Sequence, residues 1–207
     1  MDLFAAARGR DWERIDLPGA DLRWIPQWLT PGRASDLFEA LREQIAWEVH
    51  RIRIFGRQVD SPRLSCWVGD AGATYVYSRT RFEPQPWTPL LADLRGDVER
   101  ACDAHFNSVL ANLYRHGQDA MGWHSDDEPE LGAEPVIASL SLGAERSFRF
   151  RSRDGVRTVR SITLPSGSLL RMAGRTQALY QHDLPRRMRE SEPRLNLTFR
   201  WIQPAQR

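Results

Sequence analysis

The sequence predicts a single α+β domain, mainly β, in which N-terminal helices lead into a sandwich or jelly roll of short strands. Three observations carry this expectation. A chain of 207 residues, 41% hydrophobic, is long enough for one well-buried core and too short for two. Both clear helix starts lie before residue 90. Beyond about Phe106 the texture changes to short alternating segments punctuated by Gly, Pro and Asp, the signature of a strand meander.

The helices come first. Thr30-Pro31 and Thr88-Pro89 each place a capping hydroxyl before a proline, whose fixed φ suits the first helical position. Leu37, Leu41 and Ile45 recur every four residues after the first start, and Leu90, Leu91, Leu94 and Val98 form a comparable stripe after the second. Each helix is expected to lay one apolar face on a sheet. Between them, Tyr75 and Tyr77 alternate in a strand after Gly72. The expected meander comprises residues 107–114, 136–142, 146–151, 156–164, 168–172, 178–182 and 194–202. That many strands in about a hundred residues makes a sandwich or jelly roll. The arginine-rich stretch 185–193 is expected to be a mobile loop.

Charge is unevenly spread. Residues 1–145 carry 15 arginines against 23 acidic residues, whereas residues 146–207 carry 14 against four. A basic C-terminal third suits a polyanion such as nucleic acid. Apolar runs fall short of the roughly 18 residues that span a bilayer, so no membrane partner is expected. With no leader-like start and only Cys66 and Cys102, matching neither a disulfide framework nor a zinc pattern, the chain is expected to be soluble, cytoplasmic and monomeric, its cysteines core thiols.

The chemistry concentrates in His124-Ser-Asp126, His182 and the run Arg194-Leu-Asn-Leu-Thr-Phe-Arg200. Two imidazoles and a carboxylate can occupy one face of an octahedral Fe(II) and leave positions open for a co-substrate and O2. An extended segment would direct His124 and Asp126 inward from one strand end, with His182 arriving from another strand. In the terminal run, alternation sends Arg194, Asn196, Thr198 and Arg200 to one face and Leu195, Leu197, Phe199 and Trp201 to the other. Such a polar row is either a solvated sheet face or a pair of guanidinium forks for a dicarboxylate.

Taken together, the motifs IFGR, GDAGATYVYS, PQPW, NLYRHG, HSDDEPELG, PVIASLSLGAERSFRFR, GSLLRMAG, QHDLP and PRLNLTFR, covering about Arg53 to Ile202, resemble the AlkB family of Fe(II)- and 2-oxoglutarate-dependent nucleic-acid dealkylases, and most nearly its duplex-DNA repair branch. The resemblance implies a double-stranded β-helix (jelly roll) core over about 106–207, preceded over about 1–105 by helices and a nucleotide-recognition lid. It implies iron held by His124, Asp126 and His182. It also implies 2-oxoglutarate held by Arg194 at its distal carboxylate, by Arg200 near the other carboxylate, and by Asn112, Tyr114 and Thr198. The activity it implies couples 2-oxoglutarate decarboxylation to hydroxylation of an N-methyl group, which leaves as formaldehyde. Ser125 and Gln181 depart from the arginine and the aromatic of that branch, and no lysine is present for its phosphate contacts.

A methyl on the pairing edge of a base is reachable only in a single strand or after extrusion from the duplex. Phe55, before Gly56 and flanked by Arg51, Arg53 and Arg57, is the candidate wedge into the base stack. Tyr75, Tyr77, Ser78 and Glu128 are the candidates for the base pocket, where a carboxylate would favour a cationic base such as 1-methyladenine or 3-methylcytosine. Arg53, Arg57, Arg149, Arg151, Arg186 and Arg187, with Arg189 beside them, are the phosphate candidates. The expected partner is DNA. An RNA- or protein-directed oxygenase and a catalytically inert nucleic-acid-binding module are the competing readings.

Overall fold

The computed structural model describes residues 11–49, 51–54, 57–77, 80–155 and 158–203. From the N-terminus, strands β1 (Glu13–Arg14) and β2 (Asp21–Ile25) precede helix α1 (Pro31–Gln44). A hairpin of β3 (Arg51–Ile54) and β4 (Arg57–Asp60), then β5 (Leu64–Gly69), and a second hairpin of β6 (Tyr75–Tyr77) and β7 (Thr80–Phe82), lead to helix α2 (Pro89–Cys102). The remainder is β8 (Ser108–Tyr114), β9 (Met121–His124), β10 (Ile137–Gly143), β11 (Arg146–Ser152), β12 (Thr158–Leu164), β13 (Ser168–Ala173), the single helical turn α3 (Thr176–Leu179), β14 (Tyr180–Leu184) and β15 (Arg194–Arg200).

Two antiparallel sheets hold these strands, one in the order β1-β2-β13-β10-β15-β8-β5 and one in the order β12-β11-β14-β9. Both helices start where the capping signals lie. The Thr30 hydroxyl accepts from the Arg33 N–H at 3.3 Å, and the Thr88 hydroxyl from the Leu91 N–H at 3.2 Å. Replacing Thr88 with alanine strips that cap and is expected to destabilise the fold by about 1 kcal/mol, measurable by urea or thermal unfolding. Leu37 and Leu41 of α1 and Leu91, Leu94 and Val98 of α2 are buried in one cluster with Leu195, Leu197 and Phe199 of β15. The apolar side of β15 is therefore covered by helices, and its polar side is left to face the other sheet.

Three expectations need correction. Residues 178–182 are not one strand: Ala178 and Leu179 belong to α3, and the strand begins at Tyr180. The large sheet is not confined to the C-terminal half, because β2 pairs with β13 and β5 with β8. In both strands the apolar residues lack the long alternation that marks a strand in isolation. The segment 185–193 is tied down by backbone bonds from Gly117 to Arg187 and Glu190, each 2.8 Å. Cys66 and Cys102 are buried and free, as expected, and burial pushes their thiols up to about 11 and about 12.

Candidate metal and co-substrate site

The two sheets enclose a cavity whose lining comes from both. On one wall, pairing of β15 with β8 sets Arg194 opposite Tyr114 and Asn196 opposite Asn112. On the other wall, pairing of β14 with β9 sets His182 opposite His124. Leu110, Met121, Phe148, Met172 and Leu184 supply the apolar lining between these polar groups.

His124, Asp126 and His182 form a compact group, with one ligand atom from each lying within 4.8 Å of the others. His124 is the last residue of β9, while Asp126 lies just past the strand and turns back toward the same point. Four contacts hold that turn. The Ser125 hydroxyl donates to the Tyr180 carbonyl at 2.9 Å, and the Asp126 N–H donates to Gln177 Oε1 at 3.0 Å. Arg153 pairs with Asp127 and also donates to the Gln177 carbonyl at 3.2 Å. The departure at Ser125 thus has a structural job.

The ionisation states suit a cation. His124 Nδ1 lies 2.8 Å from the Gly122 carbonyl, which fixes the proton on that nitrogen and leaves Nε2 free to ligate. Burial lowers the pKa of both imidazoles, that of His182 to about 3, so both are neutral. Burial pushes the Asp126 carboxyl up, but the paired Arg200 guanidinium outweighs it and holds the group below the usual carboxylate range. Two neutral nitrogens and one carboxylate oxygen form a donor set for a divalent first-row metal.

The polar row of β15 is not a solvated face. Arg194, Asn196, Thr198 and Arg200 are all buried. Arg194 donates through Nη2 to the Ser141 hydroxyl at 2.9 Å, and its guanidinium lies 5.4 Å from the centre of the Tyr114 ring. Its Nε is buried with no hydrogen-bond partner. Burial lowers this arginine to about 10, and Arg146, itself fully buried beside Tyr114, adds a second positive charge. A buried guanidinium with an unused donor and a cationic neighbour fits an anion arriving from outside the chain.

Arg200, expected near one carboxylate of 2-oxoglutarate, is also engaged within the chain. Its Nη2 donates to Asp126 Oδ1 at 2.7 Å, and both side chains are 4% exposed. It therefore fixes the carboxylate of the triad in place. Thr198 donates to Asn196 Oδ1 at 3.0 Å, and Asn196 in turn donates to the Ser139 hydroxyl at 2.8 Å. Asn112 Oδ1 accepts from Arg63 Nε at 2.7 Å. Arg63, buried and near enough to influence His124, was not singled out in the sequence because it lies in a short polar stretch without a pattern.

The remaining candidates are more dispersed. Tyr75 and Tyr77 lie on β6, and Arg53 and Arg57 lie on the β3–β4 hairpin, whereas Phe55 and Ser78 fall outside the described residues. Glu128 is half-buried immediately before the turn Pro129–Leu131. Arg149 and Arg151 stand on the outer face of the smaller sheet, 5.1 and 4.6 Å from the centre of the Trp123 ring. Arg149 also pairs with Asp183, and Arg151 donates to Gln181 at 2.9 Å, so neither is an uncommitted charge. Arg186 and Arg189 are exposed, and Arg187 reaches the Glu145 carbonyl at 3.1 Å.

Comparison with known proteins adds an independent line. A family model described as the 2OG-Fe(II) oxygenase superfamily matches residues 21–200. The chain is 40% identical over 191 residues to "Alpha-ketoglutarate-dependent dioxygenase alkB homolog 3" of Homo sapiens, over 88% of this chain and 66% of the relative. It is 37% identical over 204 residues to "DNA oxidative demethylase ALKBH2" of Homo sapiens, over 94% of this chain and 78% of the relative. It thus spans a little under two thirds of the length of the alkB homolog 3 relatives. Among solved structures, the one described as "The structure of OsALKBH1" matches with a TM-score of 0.67 at 16% identity, over 92% of this chain and 100% of the other, a likeness of fold. No helix of the described residues is long and apolar enough to cross a membrane.

Proposed function

The chain belongs to the AlkB family of 2OG-Fe(II) oxygenases, and we propose on that premise that it oxidatively demethylates N-alkylated bases, 1-methyladenine and 3-methylcytosine, in DNA, including duplex DNA. The observation that carries this reading is that the donor triad and the partly unsatisfied Arg194 line one cavity between the two sheets. A metal site alone would not call for a buried anion site beside it. The printed name of a 37% identical relative supports DNA as the substrate.

In this reading the whole chain is one oxygenase domain. The two sheets are the walls of a double-stranded β-helix, and the N-terminal hairpins β3–β4 and β6–β7 form the lid that receives the nucleotide. His124, Asp126 and His182 hold Fe(II), and Arg194 receives the distal carboxylate of 2-oxoglutarate, with Asn112, Tyr114 and Thr198 shaping its berth. Bound there, iron, 2-oxoglutarate and O2 together supply the oxidant that hydroxylates the N-methyl carbon, with succinate, CO2 and formaldehyde as products.

The protein's own share is position and exclusion. Arg200 fixes the Asp126 carboxylate beside the two histidines that would share the metal with it, and Gly122 orients His124. The apolar side chains of the cavity keep bulk water from the reacting methyl. Glu128, beside the triad in sequence, is the carboxylate that favours a cationic methylated base, and Tyr75, Tyr77 and Ser78 complete the pocket. Phe55 fills the gap left by the extruded nucleotide. Arg53, Arg57, Arg186 and Arg187 meet phosphates, while Arg149 and Arg151, already engaged by Asp183, Gln181 and Trp123, form a stiffer outer ridge toward the same backbone.

The test is mass spectrometry of an oligonucleotide bearing 1-methyladenine, as duplex and as single strand, with iron and 2-oxoglutarate supplied or omitted. Loss of 14 mass units (about one CH2) only when both are supplied is the expected result. No loss from DNA, with turnover on methylated RNA or a protein, would replace the substrate; DNA binding without any turnover would replace the enzyme. Phe55→Ala is expected to impair the duplex more than the single strand, and equal impairment would remove the wedge from that residue.

A further inference from the structure

We propose that Met188 is a second apolar contact to the stacked bases of DNA, delivered by a turn that is locked onto Gly117. This rests on the nucleic-acid reading above and adds to it a surface and a residue. The Glu190 N–H donates to the Arg187 carbonyl at 2.8 Å, which makes Met188 and Arg189 the two central residues of a tight turn. Gly117 bonds both ends of that turn, donating to the Glu190 carbonyl and accepting from the Arg187 N–H, each at 2.8 Å. A Cβ at position 117 would stand 1.8 Å from the Arg187 carbonyl oxygen, so only glycine permits the approach. Arg146 adds a further tether, donating to the Pro185 carbonyl at 2.6 Å.

A turn held this firmly nevertheless carries a methionine that is 68% exposed, more than any other large hydrophobic among the described residues. Its immediate company is cationic: Arg186 and Arg189 are exposed, and Glu190, 18% exposed, is turned toward Arg187 at 3.8 Å. Thioether flanked by guanidinium groups matches a partner with a charged backbone and apolar faces stacked beside it, which is nucleic acid. Met188 lies six positions after His182, so the chain limits the distance between them to about 20 Å, within reach of the DNA flanking a base held in the cavity.

The experiment uses the full chain and DNA carrying 1-methyladenine with 2-aminopurine in the flanking sequence. Wild-type protein is expected to raise 2-aminopurine fluorescence by unstacking it. Met188→Ala is expected to weaken duplex binding about tenfold, a loss of 1.4 kcal/mol, to abolish the fluorescence rise although Phe55 is intact, and to leave the salt slope of binding unchanged. Arg189→Ala, by contrast, is expected to reduce that slope by about one unit. Gly117→Ala is expected to reproduce the Met188→Ala result by displacing the turn, and thermal unfolding of Met188→Ala, an exposed change, checks the fold. Wild-type affinity and fluorescence in Met188→Ala would overturn the proposal while demethylation by the wild type left the function standing. Absence of DNA binding by the wild type would overturn both.

Discussion

Asp126→Ala is expected to lower iron-dependent succinate formation by about a thousandfold or more, because it deletes the only anionic donor of the triad and with it several kcal/mol of metal-derived stabilisation. The same change is expected to weaken the metal-free protein. Arg200 is 4% exposed and donates to Asp126 at 2.7 Å, so removing the carboxylate breaks a buried ion pair from one side. Breaking such a pair from one side costs about 3–5 kcal/mol. Turnover with metal titration and urea unfolding of the metal-free protein therefore read two consequences of one substitution. Asp126→Asn keeps the shape and is expected to recover part of the stability but little of the turnover. Wild-type metal affinity in Asp126→Ala would remove this residue from the metal centre.

Arg194→Leu is expected to do the opposite to stability while also crippling function. In the metal-free protein this guanidinium is buried, has an unpartnered Nε and lies near the charge of Arg146, so its presence costs desolvation that the fold does not recover. A leucine of comparable reach removes that cost, and unfolding free energy is expected to be unchanged or higher. The KM for 2-oxoglutarate is expected to rise on the order of a hundredfold, the loss typical of one partner of a buried charge-assisted pair, with metal affinity intact. Arg194→Lys is expected to restore only part, because an ammonium cannot supply the planar fork. An unchanged KM in Arg194→Leu would place the dicarboxylate elsewhere. Opposite stability signatures for Asp126 and Arg194 distinguish a charge paired within the chain from one reserved for a ligand.

The helix starts were legible because capping is local: Thr30 and Thr88 each act on an N–H three residues away. The alternation of β15 was legible for the same kind of reason, since side-chain direction along a strand has a period of two whatever surrounds it. The strands β2 and β5 were not legible. Their places toward the two edges of the large sheet are set by pairing with β13 and β8, about forty residues away or more in sequence, and local pattern carries no record of such partners. α3 was missed similarly: a single turn too short for a periodic signal, it exists where Gln177 can reach the Asp126 N–H. Arg63 and Arg146 carried no signal beyond being two arginines among twenty-nine.

The sequence by itself determined which groups were available: a His-x-Asp, a later His, and a strand with two arginines on one side and leucines on the other. Whether that arginine side met water or an enclosed cavity depended on what covered each face of β15. α1 and α2 bury the leucine side, and the smaller sheet closes over the arginine side. Only the tertiary structure decided that Arg200 spends its charge on Asp126 while Arg194 keeps an unused donor, because charge pairing follows distance through space and the dielectric around it, neither of which is written in the order of residues.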